Sequence, residues 1–237
     1  MIKNDIINLI RKNRISTTEV ADALGKKGVI PNVLPINQGL HKVGPVQFFY
    51  AYNNSNWELH EQIQECEEGN IAYFQAINCG ESALFGDLVS KYLMLYRQAN
   101  AIVVDGFVRD VNNLIKEKYP IWVKGRTPIG CFNKKNDAPI DENLLNSHKE
   151  KFDGGIIVCD DSGVVLIEKY QINEDLLQKL EFIEFQEDVW YFCLDRHKMS
   201  TYETVCLKKY LEPNGLLDKE SLEKLSIFSN KLDGKSK

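Results

Sequence analysis

The run Val103-Val104-Asp105-Gly106-Phe107-Val108-Arg109-Asp110-Val111 constrains this chain more than any other stretch. A β-branched run ends in an acid and a glycine, and shortly after it an arginine stands directly beside a second acid. An apolar run of that length predicts a buried strand, with Gly106 turning the backbone sharply off its end. The residues that follow then stand at the mouth of a sheet, where ligands are usually held. Two carboxylates and a guanidinium this close are costly to leave half buried without a purpose. An ordinary surface Arg–Asp pair is the competing explanation.

Upstream, Gly80-Glu81-Ser82-Ala83-Leu84-Phe85-Gly86-Asp87-Leu88-Val89 leads into a stretch where Leu88, Tyr92, Leu95 and Tyr96 recur at helical spacing. A helix is therefore expected to begin near Gly86 or Asp87. Its first turn offers free backbone N–H groups and the positive end of the helix dipole, both of which favour an anion. Gly86, with no side chain, lets a ligand approach the backbone closely. A small carboxylate held between this turn and Arg109, with a divalent metal on one of the acids, is the simplest chemistry that uses all the parts.

The rest of the chain reads as mixed α/β without internal repeats. Ile2, Ile6, Ile7 and Ile10 mark one face of an N-terminal helix, and Ser16 with Glu19 forms a capping-box pattern for a second that stops at Gly25. Residues 46–52 and 71–77 are β-prone, and Trp57, Leu59, Ile63 and Cys66 predict a helix between them. Strands separated by helices point to a layered α/β core. At 237 residues one elaborated domain is expected, spanning 1–212, with a polar insertion or lid near 133–151 and a charged, partly frayed tail over 213–237. Trp122 reads as core, and Asp160 and Asp161 as turn residues of a hairpin.

Composition narrows the function classes. A net charge of −5 argues against nucleic acid as the main partner. Six cysteines without a Cys-x-x-Cys pair read as reduced core thiols, and four scattered histidines offer no zinc spacing. Charge at Lys3 and Asp5 comes too early for a signal peptide, and no apolar run approaches the roughly twenty residues of a membrane span. A cytoplasmic protein is expected.

Three segments together resemble the RraA-like family, which includes the 4-hydroxy-4-methyl-2-oxoglutarate aldolases and the regulators of ribonuclease E activity. They are Gly86-Asp87-Leu88-Val89, Asp105-Gly106-Phe107-Val108-Arg109-Asp110-Val111 and Pro120-Ile121-Trp122. Weaker likeness extends from about Ser16 through Val43-Gly44-Pro45-Val46 to the Ile156–Ile167 hairpin. The resemblance implies a layered β/β/α core like that of swivelling domains, here with extra N- and C-terminal helices, and a closed homo-oligomer, a trimer or hexamer.

The same resemblance implies roles. Asp110 would hold Mg²⁺ or Mn²⁺ largely through waters. Arg109 would grip the carboxylate or carbonyl of a pyruvate-like group, and the backbone around Gly86, Asp87, Leu88 and Val89 would take the rest of that carboxylate. Asp105 would orient Arg109 or a water that shuttles the proton. The implied activity is a metal-dependent lyase on a small 2-oxo acid, by retro-aldol cleavage of a 4-hydroxy-2-oxo acid or decarboxylation of oxaloacetate, both through a pyruvate enolate. In the family an acid from a neighbouring subunit can approach the metal, and Glu184 or Glu187 are the candidates here. The chain departs from the family pattern at Asn113, where an acid is common, and at Asp87, where glutamate is usual. The alternative is a regulator without catalysis that binds ribonuclease E or another protein; the intact Arg109-Asp110 pair favours the enzyme.

Overall fold

The N-terminal spacing folds as expected. Helix α1 (Ile2–Asn13) buries Ile6, Ile7 and Ile10. Helix α2 (Thr17–Ala23) opens on the capping box: Ser16 Oγ accepts from the Glu19 N–H, and the Glu19 carboxylate accepts from the Ser16 N–H. The computed structural model describes residues 1–212 and 216–232, with 228–232 as backbone only. After α2 come β1 (Leu34–Pro35), β2 (Lys42–Tyr52), α3 (Trp57–Gln62), β3 (Ile71–Ile77), β4 (Ala83–Phe85), α4 (Asp87–Lys91) and β5 (Ala101–Val108). Then follow α5 (Val111–Lys116), β6 (Ile121–Arg126), α6 (Glu142–Phe152), β7 (Ile156–Asp160) and β8 (Gly163–Ile167).

The strands form one mixed sheet in the order β1-β6-β5-β3-β2-β7-β8, with β4 beside the end of β5. β2 serves two layers. From Val46 onward it runs parallel to β3, and β5 and β6 continue in parallel. Its first part, Lys42–Pro45, pairs antiparallel with β7 instead. The β7–β8 hairpin also meets the lead-in to β1: Ile30 N donates to Val164 O, and Leu166 N to Gly28 O. The two ends of the sheet are thus drawn together.

Period-two alternation sends neighbouring residues of each strand to different cores. Val46, Phe48, Tyr73, Val103 and Trp122 pack against Ile157, Cys159, Val164 and Leu166 of the hairpin. Phe49, Phe74, Ile102 and Val104 pack on the other face against Leu59, Val89, Leu93 and Leu114 from the helical segments. This is an α/β fold in β/β/α layers, as the resemblance implied.

One local expectation changes. Gly106 does not end the strand; β5 runs on to Val108, and a Cβ at Gly106 would lie 2.8 Å from that of Ala76, so close packing is its purpose. The polar stretch 133–151 leads into a helix with two apolar anchors. Asp141 caps α6 through the Asn143 and Leu144 N–H groups, and α6 buries Leu145 and Phe152, with the Phe152 ring stacked on Tyr73 at 3.9 Å between centroids. Its carboxy-terminal residues pack on the hairpin-side core. The chain forms two compact units, Met1–Asn173 and Glu174–Lys237. The second holds α7 (Glu174–His197) and α8 (Lys219–Leu232), the latter within the expected tail. Residues 213–215 and 233–237 of that tail lie outside the described residues. Among the described residues no helix is long and apolar enough to cross a membrane. All six cysteines are free thiols.

Candidate active site

β4, β5 and β6 run parallel, and Phe85, Val108 and Arg126 are register partners across them. The three chains therefore leave the sheet at one edge, the place where open α/β sheets receive ligands. Just past that edge lie Gly86, Arg109 and Thr127. Arg109 N donates to Phe85 O at 3.0 Å and Thr127 N to Val108 O at 3.0 Å, which lashes the three exits together.

Helix α4 starts at Gly86 and continues through a π-helical turn, Tyr92–Tyr96. Gly86 has no side chain to cap it. Asp110 supplies the cap from the neighbouring exit: its Oδ2 accepts from the Asp87 N–H at 3.2 Å. To do this Asp110 adopts a left-handed backbone, φ 57°, which aspartate tolerates better than most residues. Arg109 Nε stands 3.6 Å from the same oxygen, with both side chains about half exposed. Two glycines make room. A Cβ on Gly86 would collide with Asp110 Oδ2 and stand 2.8 Å from Arg109 Cγ; one on Gly130 would stand 2.8 Å from Arg109 Nη1.

Arg109, Asp110, Asn112, Asn113, Arg126 and Thr127 line a cavity of about 530 Å³. Asn113 Nδ2 donates to Asp87 Oδ2 at 3.2 Å, so the residue standing where an acid is common holds the neighbouring carboxylate. The structure thus brings together Gly86, Asp87, Arg109 and Asp110. Leu88 and Val89 form the first turn of α4, but the Leu88 side chain is 82% exposed and that of Val89 is buried in the core. Only their backbone N–H groups, which a first helical turn leaves without partners, are suited to a ligand there.

Asp105 is not part of this group. Its side chain lies on the face of β5 that carries Val103, beside Tyr73, whereas Arg109 stands beyond the end of the strand, where the left-handed Asp110 turns the chain. Lys124 Nζ donates to its Oδ1 at 3.1 Å, and Gln75 Nε2 and the Tyr73 hydroxyl donate to its Oδ2 at 3.1 and 3.4 Å. Burial, and then the charge of Asp105, push the Tyr73 phenol well above its ordinary value. No hydrogen bond joins Asp105 to Arg109 among the described residues. Arg126 and Thr127 escaped the sequence reading. The signal was there in the parallel order of strands, which brings the end of β6 to the end of β5.

Among the described residues no group of three or more histidine, cysteine or acidic side chains could hold a metal. Asp110 and Asp87 nevertheless suit a hydrated hard cation, which needs only one or two carboxylates and keeps its waters. Asp110 Oδ1 accepts no hydrogen bond from a described residue. Glu184 and Glu187 lie on α7 in the second unit.

The family model RraA-like, of the Aldolase/RraA description, matches residues 17–166, more than half of the chain and the whole of this site. The chain belongs to the RraA-like family. This RraA-like protein is 26% identical over 199 residues to a protein of Halalkalibacterium halodurans named "Putative 4-hydroxy-4-methyl-2-oxoglutarate aldolase", covering 84% of this chain and 90% of that one. It is 23% identical over 184 residues to the protein DlpA of Legionella pneumophila, covering 72% of this chain but 28% of DlpA. Two solved structures share the fold. An uncharacterized Pseudomonas syringae protein superposes with a TM-score of 0.60 at 21% identity, over 81% of this chain and 93% of its own. RraAS2 of Streptomyces coelicolor, described as an unusual member of the RNase ES inhibitor RraA protein family, gives 0.57 at 20% identity, over 76% and 94%.

Proposed function

We propose that this RraA-like protein is a lyase that cleaves a small 2-oxo acid with the help of Mg²⁺ or Mn²⁺. The observation that carries the reading is the closure of Arg109 and Asp110 on the start of α4 at Gly86. The Arg109 guanidinium offers a planar two-point contact to a carboxylate. The first-turn N–H groups of Leu88 and Val89 supply further donors to the same anion. Asp110, with Asp87 beside it, would hold the cation. Such a cation supplies positive charge that stabilises the enolate left when the carbon–carbon bond breaks. Arg126 lines the same cavity and would offer a second guanidinium to the rest of the substrate. Retro-aldol cleavage of a 4-hydroxy-2-oxo acid and decarboxylation of oxaloacetate leave the same pyruvate enolate, so one set of residues serves both. The name of the H. halodurans relative agrees with this class of substrate.

The same reading includes a homo-oligomer. Leu88 (82% exposed), Ile129 and Phe132 (each 69%) are large apolar residues on and near the segments that frame the site. A second copy of this chain is the partner that would cover them.

The test is pyruvate release from oxaloacetate and from 4-hydroxy-4-methyl-2-oxoglutarate, with Mg²⁺, with Mn²⁺ and with EDTA. Turnover is expected only with the cation. Arg109→Lys is expected to lower kcat/KM about 30-fold or more, the equivalent of a lost charge-assisted contact of about 2 kcal/mol. Wild-type protein that releases no pyruvate with either cation would overturn the lyase reading in favour of a regulator binding ribonuclease E or another protein.

A further inference from the structure

Cys79 and Cys131 meet behind the wall of the candidate site. Cys79 lies in the turn between β3 and β4, where its carbonyl accepts from the Ser82 N–H at 3.2 Å. Cys131 lies in an extended segment lashed to β4 and to the turn after β2. Ala83 N donates to Ile129 O at 2.8 Å, Cys131 N to Ala83 O at 2.9 Å, and Phe132 N to Asn54 O at 2.9 Å. Cys79 is buried in the helix-side core and Cys131 packs against that core while partly exposed. The two side chains touch, the Cys131 thiol donating to the Cys79 sulfur.

That contact and the backbone of Asn54 hold the Cys79 thiol below its ordinary value, whereas the same contact and burial push Cys131 up. The other buried thiols are shifted the opposite way from Cys79. Burial pushes Cys66 up to about 11 and raises Cys159 and Cys193 as well. A buried sulfur is thus in contact with one that is partly open to solvent.

We propose that Cys79 and Cys131 are a site of reversible oxidation that closes to a disulfide under peroxide. One of the two sulfurs attacks one peroxide oxygen, breaks the O–O bond and becomes a sulfenic acid, its thiol proton joining the departing hydroxide to leave as water. The other sulfur then attacks the oxidised one, its proton leaving with the sulfenic hydroxyl as a second water. Two electrons pass from the two sulfurs to the peroxide, and a dithiol reductant reverses the bond. The consequence reaches the site through Gly130. Its backbone lies against the Arg109 guanidinium and is bonded directly to Cys131, so drawing Cys131 toward Cys79 moves the wall on which Arg109 leans. The inference holds whether or not the protein is a lyase.

The test treats the reduced full-length protein with equimolar hydrogen peroxide, alkylates the remaining thiols and maps the peptides by mass spectrometry. The expected product has lost about 2 Da, the mass of two hydrogens, and carries a Cys79–Cys131 cross-linked peptide that dithiothreitol reopens. Cys131→Ser and Cys79→Ser are each expected to abolish the cross-link, while Cys206→Ser leaves it unchanged. Wild-type protein in which Cys79 and Cys131 remain alkylatable after peroxide, or in which the disulfide runs through Cys206 or between chains, overturns the proposal. The wild-type map decides the matter by itself if a variant does not fold.

Discussion

Asp110 holds a left-handed backbone and caps a helix to which it does not belong, and both facts bear on a neighbour, Gly86. Any side chain at Gly86 displaces the carboxylate and the arginine together. Gly86→Ala is expected to leave a folded protein with at least tenfold weaker binding of oxalate, a pyruvate mimic, by isothermal titration, since the close approach is lost. Asp105→Asn is the contrasting case. It removes the charge facing Lys124 and disturbs the bonds to Gln75 and Tyr73, so stability should fall by about 1–2 kcal/mol in denaturant melts. Oxalate affinity should not change, because Asp105 lies outside the cavity that Arg109 and Asp110 line. The two residues also show what a sequence makes legible. Gly86, Arg109 and Asp110 could be read because their chemistry is carried by neighbours along the chain. The surroundings of Asp105 could not be read, because its partners Tyr73 and Gln75 on β3 and Lys124 on β6 are brought to it only by strand pairing. Arg126 was invisible for a different reason: its tie to Arg109 runs through the Val108–Arg126 register of two strands.

Helix α2 shows how much an element can owe to one side chain. Ser16 begins it with the capping box, and Asp160 of β7 holds its first residue by accepting from Thr17 N and Thr17 Oγ1, each at 2.7 Å. The Asp160 carbonyl also accepts from Trp122 Nε1 at 2.7 Å. Ser16→Ala is expected to cost about 1 kcal/mol in chemical unfolding, the usual loss of a good cap, without altering oxalate binding. The capping box, the Ile71–Ile77 strand and the late hairpin were legible because local spacing and turn residues decide them. The end of β5 was not. A glycine that ordinarily breaks a strand stays inside this one because Ala76 of the adjacent strand needs the space. Nor was α6 legible, since Leu145 and Phe152 are sparse apolar anchors in a polar stretch and show their purpose only against Tyr73 and Phe48.

At the scale of the whole molecule the exposed apolar residues near the site are the feature to account for. Light scattering at micromolar concentration is expected to give a trimer or hexamer, and Phe132→Glu to shift it toward monomer by placing a charge in the covered surface. A wild-type monomer under those conditions would contradict the assembly. The sharing of β2 between two layers has a consequence during synthesis. Val46–Tyr52 finds its partner as soon as β3 leaves the ribosome, but Lys42–Pro45 waits for β7, roughly eighty residues after β3 is complete. For several seconds the growing chain carries an open strand edge, the kind of surface on which nascent proteins adhere to one another. Pro45, lacking an N–H at the junction, removes one donor from that edge while it stands exposed.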